Sequence, residues 1–280
     1  MLSAGFDWLT ATARPDETAR ELAALGGRLV ELERDAGNRQ REWHWRGYHG
    51  LTAGAATVGG RDDGVIVRAS GALAADWARA LASLASNVSR VDLQVTWLAP
   101  MGDSDSAVMA LWRARQRLAE RGRPSEITLI RPERDGPTVY VGKRSSDQFG
   151  RIYDKHGEDP TTYPPGAVRA EIEIKGETAR ANRERIAAGD LDSSAILALA
   201  RRWYRRRGIP LQLPDAGTAD LAPAPRSETD AQRALRWLAG QAAPTVARSV
   251  EWSGLWPTLR ALGLADRLNR ERDSSRRAPW

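Results

Sequence analysis

The chain has 280 residues, no cysteine and a formal net charge of +6. Without cysteine there is no disulfide framework, no thiolate zinc site and no cysteine nucleophile, and no stretch approaches the ~18–20 apolar residues that span a bilayer. A basic balance of this kind favours a polyanionic partner, nucleic acid above all.

The first residues, MLSAGFDWLTATARPDE, lack both the basic and the apolar region of a signal peptide, so a soluble, cytoplasmic protein with no membrane partner is expected. Residues 4–13 read as a first strand. Pro15 opens a helix that runs to about Arg34, with Leu22, Leu25, Leu29 and Leu32 at helical spacing. Residues 35–50 are polar and aromatic and resolve into a strand pair. Residues 64–71 form a strand ending at Gly71, and a helix over 72–86 places Leu73, Trp77, Leu81 and Leu84 on one face. Residues 88–98 alternate, with Val91, Leu93, Val95 and Trp97 on one side and Asp92, Gln94 and Thr96 on the other. A helix over 105–120 follows, then strands over 127–130 and 137–141 about a turn at Asp135-Gly136. Further strands are expected over 149–154 and 168–175, separated by a loop over 155–166, and helices over 177–188 and 193–206. This order predicts an α+β domain with a central, mainly antiparallel sheet covered by helices over 1–209. A Pro- and Ala-rich stretch over 210–229 reads as a linker. Residues 230–280 read as a small helical C-terminal unit with a charged tail.

Only three of the 42 basic residues are lysines: Lys143, Lys155 and Lys175. Their survival in an arginine-rich chain points to places that need a compact ammonium. They bracket the run Lys143-Arg144-Ser145-Ser146 to Arg151-Ile152-Tyr153-Asp154-Lys155. Arg151, Tyr153 and Lys155 alternate onto one strand face. A tyrosine between cations is suited to attack a phosphodiester, the cations offsetting phosphate charge and lowering the phenol pKa. A half-buried strand tyrosine among solvated charges is the other reading. On the next strand Arg169, Glu171, Glu173 and Lys175 share a face. Glu171 and Glu173, with Asp92, could ligate Mg2+ or Mn2+. Alternatively the carboxylates pair with Arg169, Lys175 or Arg151 as a ladder. His44 and His49 read as ordinary surface histidines, not a ligand pair. Arg201, Arg202, Arg205, Arg206 and Arg207 surround Trp203 and Tyr204. That helix could lie along phosphates with an aromatic on an unpaired base, or pack its aromatics inward.

The segments Tyr140–Lys155 and Val168–Ala179 resemble the replication initiation factor family of rolling-circle plasmids and some filamentous phages. Asp7-Trp8-Leu9-Thr10, Gly64–Gly71 and Ser89–Leu93 are similar to further blocks of it, in order, over roughly residues 6–200. The resemblance implies a fold related to the HUH-like nicking endonucleases, although their His-hydrophobic-His motif is not seen here. It implies nicking and rejoining of one strand of single-stranded or hairpin origin DNA through a 5′-phosphotyrosine, with a host helicase as partner. A homodimer stays open. On this resemblance Tyr153 is the nucleophile, and Arg151 and Lys155 bind the scissile phosphate. Lys143, Arg144 and Lys175, with Ser145 beside them, hold DNA near the same point; Arg201 and Arg205, on the helix that could lie along phosphates, are the candidates for holding it elsewhere. Acidic residues, here Asp92, Glu171 and Glu173, take the metal. The competing readings are a DNA-binding protein that does not cut, a tyrosine recombinase or topoisomerase-like enzyme, and an assembly protein of a mobile element.

Overall fold

The structure, a computed structural model, describes residues 3–99, 103–120, 127–130, 136–211, 213, 217–223 and 257. The chain divides into two compact units, Met1–Pro225 and Arg226–Trp280. The helical unit expected over 230–264 and the tail beyond it lie outside the described residues, Pro257 apart.

The elements of the first unit are β1 (Ser3–Ala13), α1 (Glu17–Asp35), β2 (Arg41–Trp45), β3 (Tyr48–Ala53), β4 (Ala56–Arg61), β5 (Gly64–Ser70), α2 (Gly71–Leu84), β6 (Asn87–Leu98), α3 (Ser104–Glu120), β7 (Ile127–Ile130), β8 (Thr138–Val141), β9 (Gln148–Asp154), α4 (Lys155–Glu158), β10 (Ala167–Lys175), α5 (Gly176–Ala181), α6 (Arg183–Ala188) and α7 (Ser193–Arg206). The ten strands make one sheet in the order β2-β3-β4-β5-β1-β6-β10-β9-β8-β7. Every pairing is antiparallel, so the expected α+β class and antiparallel sheet are what the chain forms.

The alternation read from β6 decides what faces what. Val91, Leu93 and Val95 lie beside Ile174, Ile172 and Ala170 of β10, and Leu9 of β1 lies beside Val91. Together they belong to a single buried cluster. The helices pack on this face. On α1, a Cβ at Gly26 would lie 2.6 Å from Val67 and 2.8 Å from Val58, so the missing side chain lets helix and sheet meet closely. On α7, Trp203 and Tyr204 lie against Gly150 of β9. The other face carries Arg90, Asp92 and Gln94 of β6 with the polar residues of β9 and β10.

Several local expectations shift. Asp16, not Pro15, caps α1, its carboxylate accepting from Ala19 N at 3.0 Å. Strand β4 was not expected. The helix expected over 177–188 is two, α5 and α6, meeting at the fully buried Asn182. The Asn182 amide exchanges hydrogen bonds with the backbone of Ala222 at 2.9 and 3.2 Å, and Asp220 pairs with Arg202 and Arg206 of α7. The described part of 217–223 is thus fastened to α6 and α7.

Candidate active site

Strand β9 ends where the chain turns into the single turn of α4, capped by the Asp154 carboxylate on Gly157 N at 3.0 Å. This places Tyr153 at the last turn of the strand's pleat, with Arg169 of β10 directly opposite and Glu171 one pleat along. The Tyr153 Oη donates to Glu171 Oε1 at 2.6 Å. Arg151 Nε donates to the other oxygen, Oε2. Tyr153 is 9 % exposed and Glu171 1 %. Burial pushes the Glu171 carboxyl above its ordinary value against the pull of Arg151. Burial, then the Glu171 charge, pushes the Tyr153 phenol up as well. The expected lowering of the tyrosine by flanking cations is therefore reversed, because the phenol is buried and, second, because its oxygen faces a carboxylate.

Arg169 holds the far side. Its guanidinium donates to Thr96 Oγ1 (2.9 Å), Asp7 Oδ1 (2.9 Å) and the Tyr163 hydroxyl (2.6 Å), joining β6, β1 and the loop after α4. Lys155 opens α4 instead of extending β9. Its ammonium pairs with Glu158 and lies 5.9 Å from the Tyr153 ring and 5.1 Å from the Tyr163 ring. These groups line a cleft of about 570 Å3 with Asp7, Trp8, Gln94 and the start of α2. Asp7, Arg169 and Tyr163 were not singled out as site residues. Arg169 was legible as a neighbour on the face of Glu171, whereas nothing in the Pro-rich loop marks Tyr163.

The other expected residues sit elsewhere on the same face. Arg90 Nε and Nη2 donate to the two oxygens of Asp92 at 2.8 and 2.5 Å, and Nη2 reaches Glu173 at 3.1 Å. Lys175 Nζ lies 2.8 Å from Glu173 and donates to the Arg144 carbonyl at 2.6 Å. Burial raises Asp92 despite Arg90. Burial would raise Glu173 too, but Lys175 and Arg90 outweigh it and hold its carboxyl low. Arg151 Nη2, 4.0 Å from Asp92, links this cluster to the cleft. Lys143, Arg144 and Ser145 are exposed on the β8–β9 connection, at the opposite end of β9 from Tyr153. Lys175 lies about 20 Å along β10 from the residue facing Tyr153, at the usual rise per residue. The three lysines therefore do not converge: a hairpin strand separates the turn that precedes it from the residue that ends it.

The three candidate metal ligands share a face, and Glu173 is directly opposite Asp92. Each carboxylate is turned to a guanidinium, an ammonium or a phenol, and among the described residues no three His, Asp or Glu side chains converge as a ligand set. In this arrangement Asp92, Glu171 and Glu173 do not fit a divalent ion held by all three; the ladder is what forms, with Asp92 and Glu171 buried and its cations about a third exposed. Removing Arg90 or Arg151 would strand the buried Asp92 or Glu171 carboxylate, at a cost below the ~3–5 kcal/mol of a fully buried pair because both guanidiniums reach solvent.

Behind the site, α7 lies on the apolar face, so Arg201 and Arg205 are across the sheet from Tyr153. Trp203 and Tyr204 pack inward, and their alternative role on unpaired bases is excluded by burial at 6 % and 0 % exposure. The Tyr204 Oη lies 2.6 Å from the Glu171 carbonyl and 3.0 Å from that of Arg151, so it fixes both strands beneath the Tyr153–Glu171 pair. His44 and His49 were not expected to pair, but they face each other across the β2–β3 hairpin with their Nδ1 atoms 2.7 Å apart.

Residues 101–205, which carry Tyr153, Glu171 and all but the last residue of α7, match the Rep_trans model, described as replication initiation factor. Over this stretch the chain is similar to the replication initiation factor family. The match begins after β6, so Asp7, Trp8, Arg90 and Asp92 come to the matched region by folding. A solved structure, the rolling circle replication initiator protein from Geobacillus stearothermophilus, is similar over 82% of this chain and 91% of its own, at 17% identity and a TM-score of 0.48. No curated protein matches the chain. No helix among the described residues is long and apolar enough to cross a membrane.

Proposed function

We propose that this chain initiates rolling-circle-type DNA replication by nicking and rejoining one strand at an origin, with Tyr153 as nucleophile. The observation that carries the reading is the 2.6 Å hydrogen bond from Tyr153 to Glu171 in a cleft that also holds Arg151, Arg169 and Lys155. That is a nucleophile, an acceptor for its proton and cations for a phosphodiester.

The Tyr153 oxygen attacks the scissile phosphorus as its proton passes to Glu171. An O–P bond to tyrosine forms and the P–O3′ bond breaks. The 5′ phosphate stays on Tyr153, and the departing O3′ takes up a proton to become a 3′ hydroxyl, the end a polymerase extends. In the reverse direction a 3′ hydroxyl attacks the phosphotyrosine and closes the strand, and Glu171 returns the proton. Arg151 and Arg169 flank the phenol and offset charge on the phosphate oxygens. Lys155, at the mouth, holds the adjoining phosphate. Burial raises the Glu171 carboxyl above its ordinary value, the direction that makes it a better acceptor for the phenol proton. These steps run on the chain's own side chains. A Mg2+ or Mn2+ ion, the expected cofactor, would have to draw Asp92, Glu171 or Glu173 away from its present partner. A host helicase is the partner such a 3′ end calls for, and a homodimer is compatible with it. A cytoplasmic setting accords with this role.

One observation favours a second reading, a protein that binds origin DNA without cutting it: Tyr153 is buried and its phenol is hard to ionise. The test separates the two. Purified protein is incubated with single-stranded hairpin oligonucleotides drawn from around its own gene, with and without Mg2+ or Mn2+, beside Tyr153→Phe. A covalent protein–DNA adduct mapped to Tyr153 and lost in the variant is expected. DNA bound on every hairpin with no adduct would establish the binding protein instead.

A further inference from the structure

We propose that the polar sheet face beyond the cleft, running from β1 out to the β2–β3 hairpin, is a stacking platform for the single-stranded DNA that leads away from Tyr153. The inference rests on the nicking reading for the identity of that strand, but its own observations are separate.

The Arg68 guanidinium lies 4.6 Å from the Trp43 ring and 4.4 Å from the Trp45 ring. Trp43 and Trp45 are stacked at 6.3 Å, and Arg46 caps the Trp45 ring at 4.8 Å. Trp43 can lie against the sheet because Gly59 leaves room: a Cβ there would stand 2.9 Å from the indole. Trp45 remains 40% exposed. The Arg68 guanidinium has no hydrogen bond or ion pair among the described residues, unlike those of Arg90, Arg151 and Arg169 on the same face. Burial, with Arg90 nearby, holds its pKa below the ordinary arginine value, the mark of a guanidinium short of negative charge. The register carries this patch toward the cleft: Thr10 of β1 sits between Arg68 and Arg90. Arg90 lies 4.8 Å over the Trp8 ring, and Trp8 lines the cleft itself.

An anion is the partner that answers an uncompensated guanidinium, and a flat apolar surface is what answers an exposed indole. Single-stranded DNA offers both in alternation, phosphates and unpaired bases. Duplex DNA presents its phosphates but keeps its base faces stacked inside, leaving Trp45 without a partner. From β2 to β9 the sheet spans seven strand spacings, about 34 Å, so only an extended strand touches both ends.

The experiment uses the full chain and three dye-labelled probes read by fluorescence anisotropy. These are an oligothymidylate long enough to run from cleft to hairpin, a short one covering the cleft alone, and a duplex of the longer length. Trp45→Ala is expected to weaken the long single strand by about 5- to 100-fold, as for one stacked base. Trp45→Phe restores most of it. Arg68→Gln is expected to flatten the dependence of log K on log salt by about 0.7, the release accompanying one single-strand phosphate contact. Neither change alters binding of the short probe. Wild-type affinity of Trp45→Ala for the long strand overturns the platform, and so does an equal loss on single strand and duplex. Because Trp45 is exposed, its variant decides the matter even if Arg68→Gln melts early. Failure of the nicking reading shows separately, as the absence of any covalent adduct from the wild-type protein on hairpin DNA.

Discussion

Glu171 receives two donors on its two oxygens, a phenol and a guanidinium, and its exposure is 1 %. Only the carboxylate form can take the Tyr153 proton, and burial sets its pKa above the ordinary 4.5. Adduct formation should therefore rise with pH through that raised value and then level off. Glu171→Gln keeps the shape, removes the proton acceptor and should slow adduct formation by roughly 10²–10⁴ while erasing the acid limb. Rapid-quench rates across pH measure both, and an unchanged limb in the variant would assign it to another group. The ingredients of this contact were legible: alternation put Tyr153 with Arg151 on one strand face and Glu171 with Arg169 on another. Their meeting was not legible, because the register between β9 and β10 depends on the turn and loop that join them and on packing from beneath. The lysine argument failed for a related reason. Closeness in sequence brings Lys143 to the start of a hairpin strand whose far end carries Tyr153.

At the level of elements, β9 is held from behind by α7. A Cβ on Gly150 would stand 2.7 Å from Trp203 and 2.8 Å from the Tyr204 hydroxyl. Gly150→Ala should then cost about 1–3 kcal/mol by overpacking and shift β9 enough to slow adduct formation. Thermal melting beside single-turnover nicking checks this; unchanged melting would show that the helix yields freely. The elements with clear periodicity, α1, β6 and α7, could be read from the sequence to within a few residues. Strand β4 could not. Its run Ala56-Thr57-Val58-Gly59-Gly60-Arg61 has two glycines where a strand usually carries bulk, and at Gly59 that gap is filled by the Trp43 ring from β2. Trp203 and Tyr204 left two readings open because a basic helix with aromatics looks alike whether it faces DNA or a sheet. Gly150, the residue that accepts them, is distant in sequence.

For the molecule as a whole, one sheet carries both the cleft and the proposed platform, with helices on its apolar face. Protection should follow position in that sheet. Amide hydrogen exchange is expected to be slowest in β1, β6 and β10, which have paired neighbours and buried side chains, and fastest in the edge strands β2 and β7. Exchange as fast in β6 as in β2 would contradict the topology. The strand order has one more consequence. β1 comes first in the chain but lies in the interior of the sheet, between β5 and β6. As the polypeptide leaves the ribosome, β2 to β5 can zip into a meander with only local loops to close. β1 must wait for β5 on one side and β6 on the other, pairings that close long loops. Until Asn87–Leu98 has been synthesised, β1 has an unsatisfied edge, and that interval is when the nascent chain is most open to mispairing and to chaperone capture.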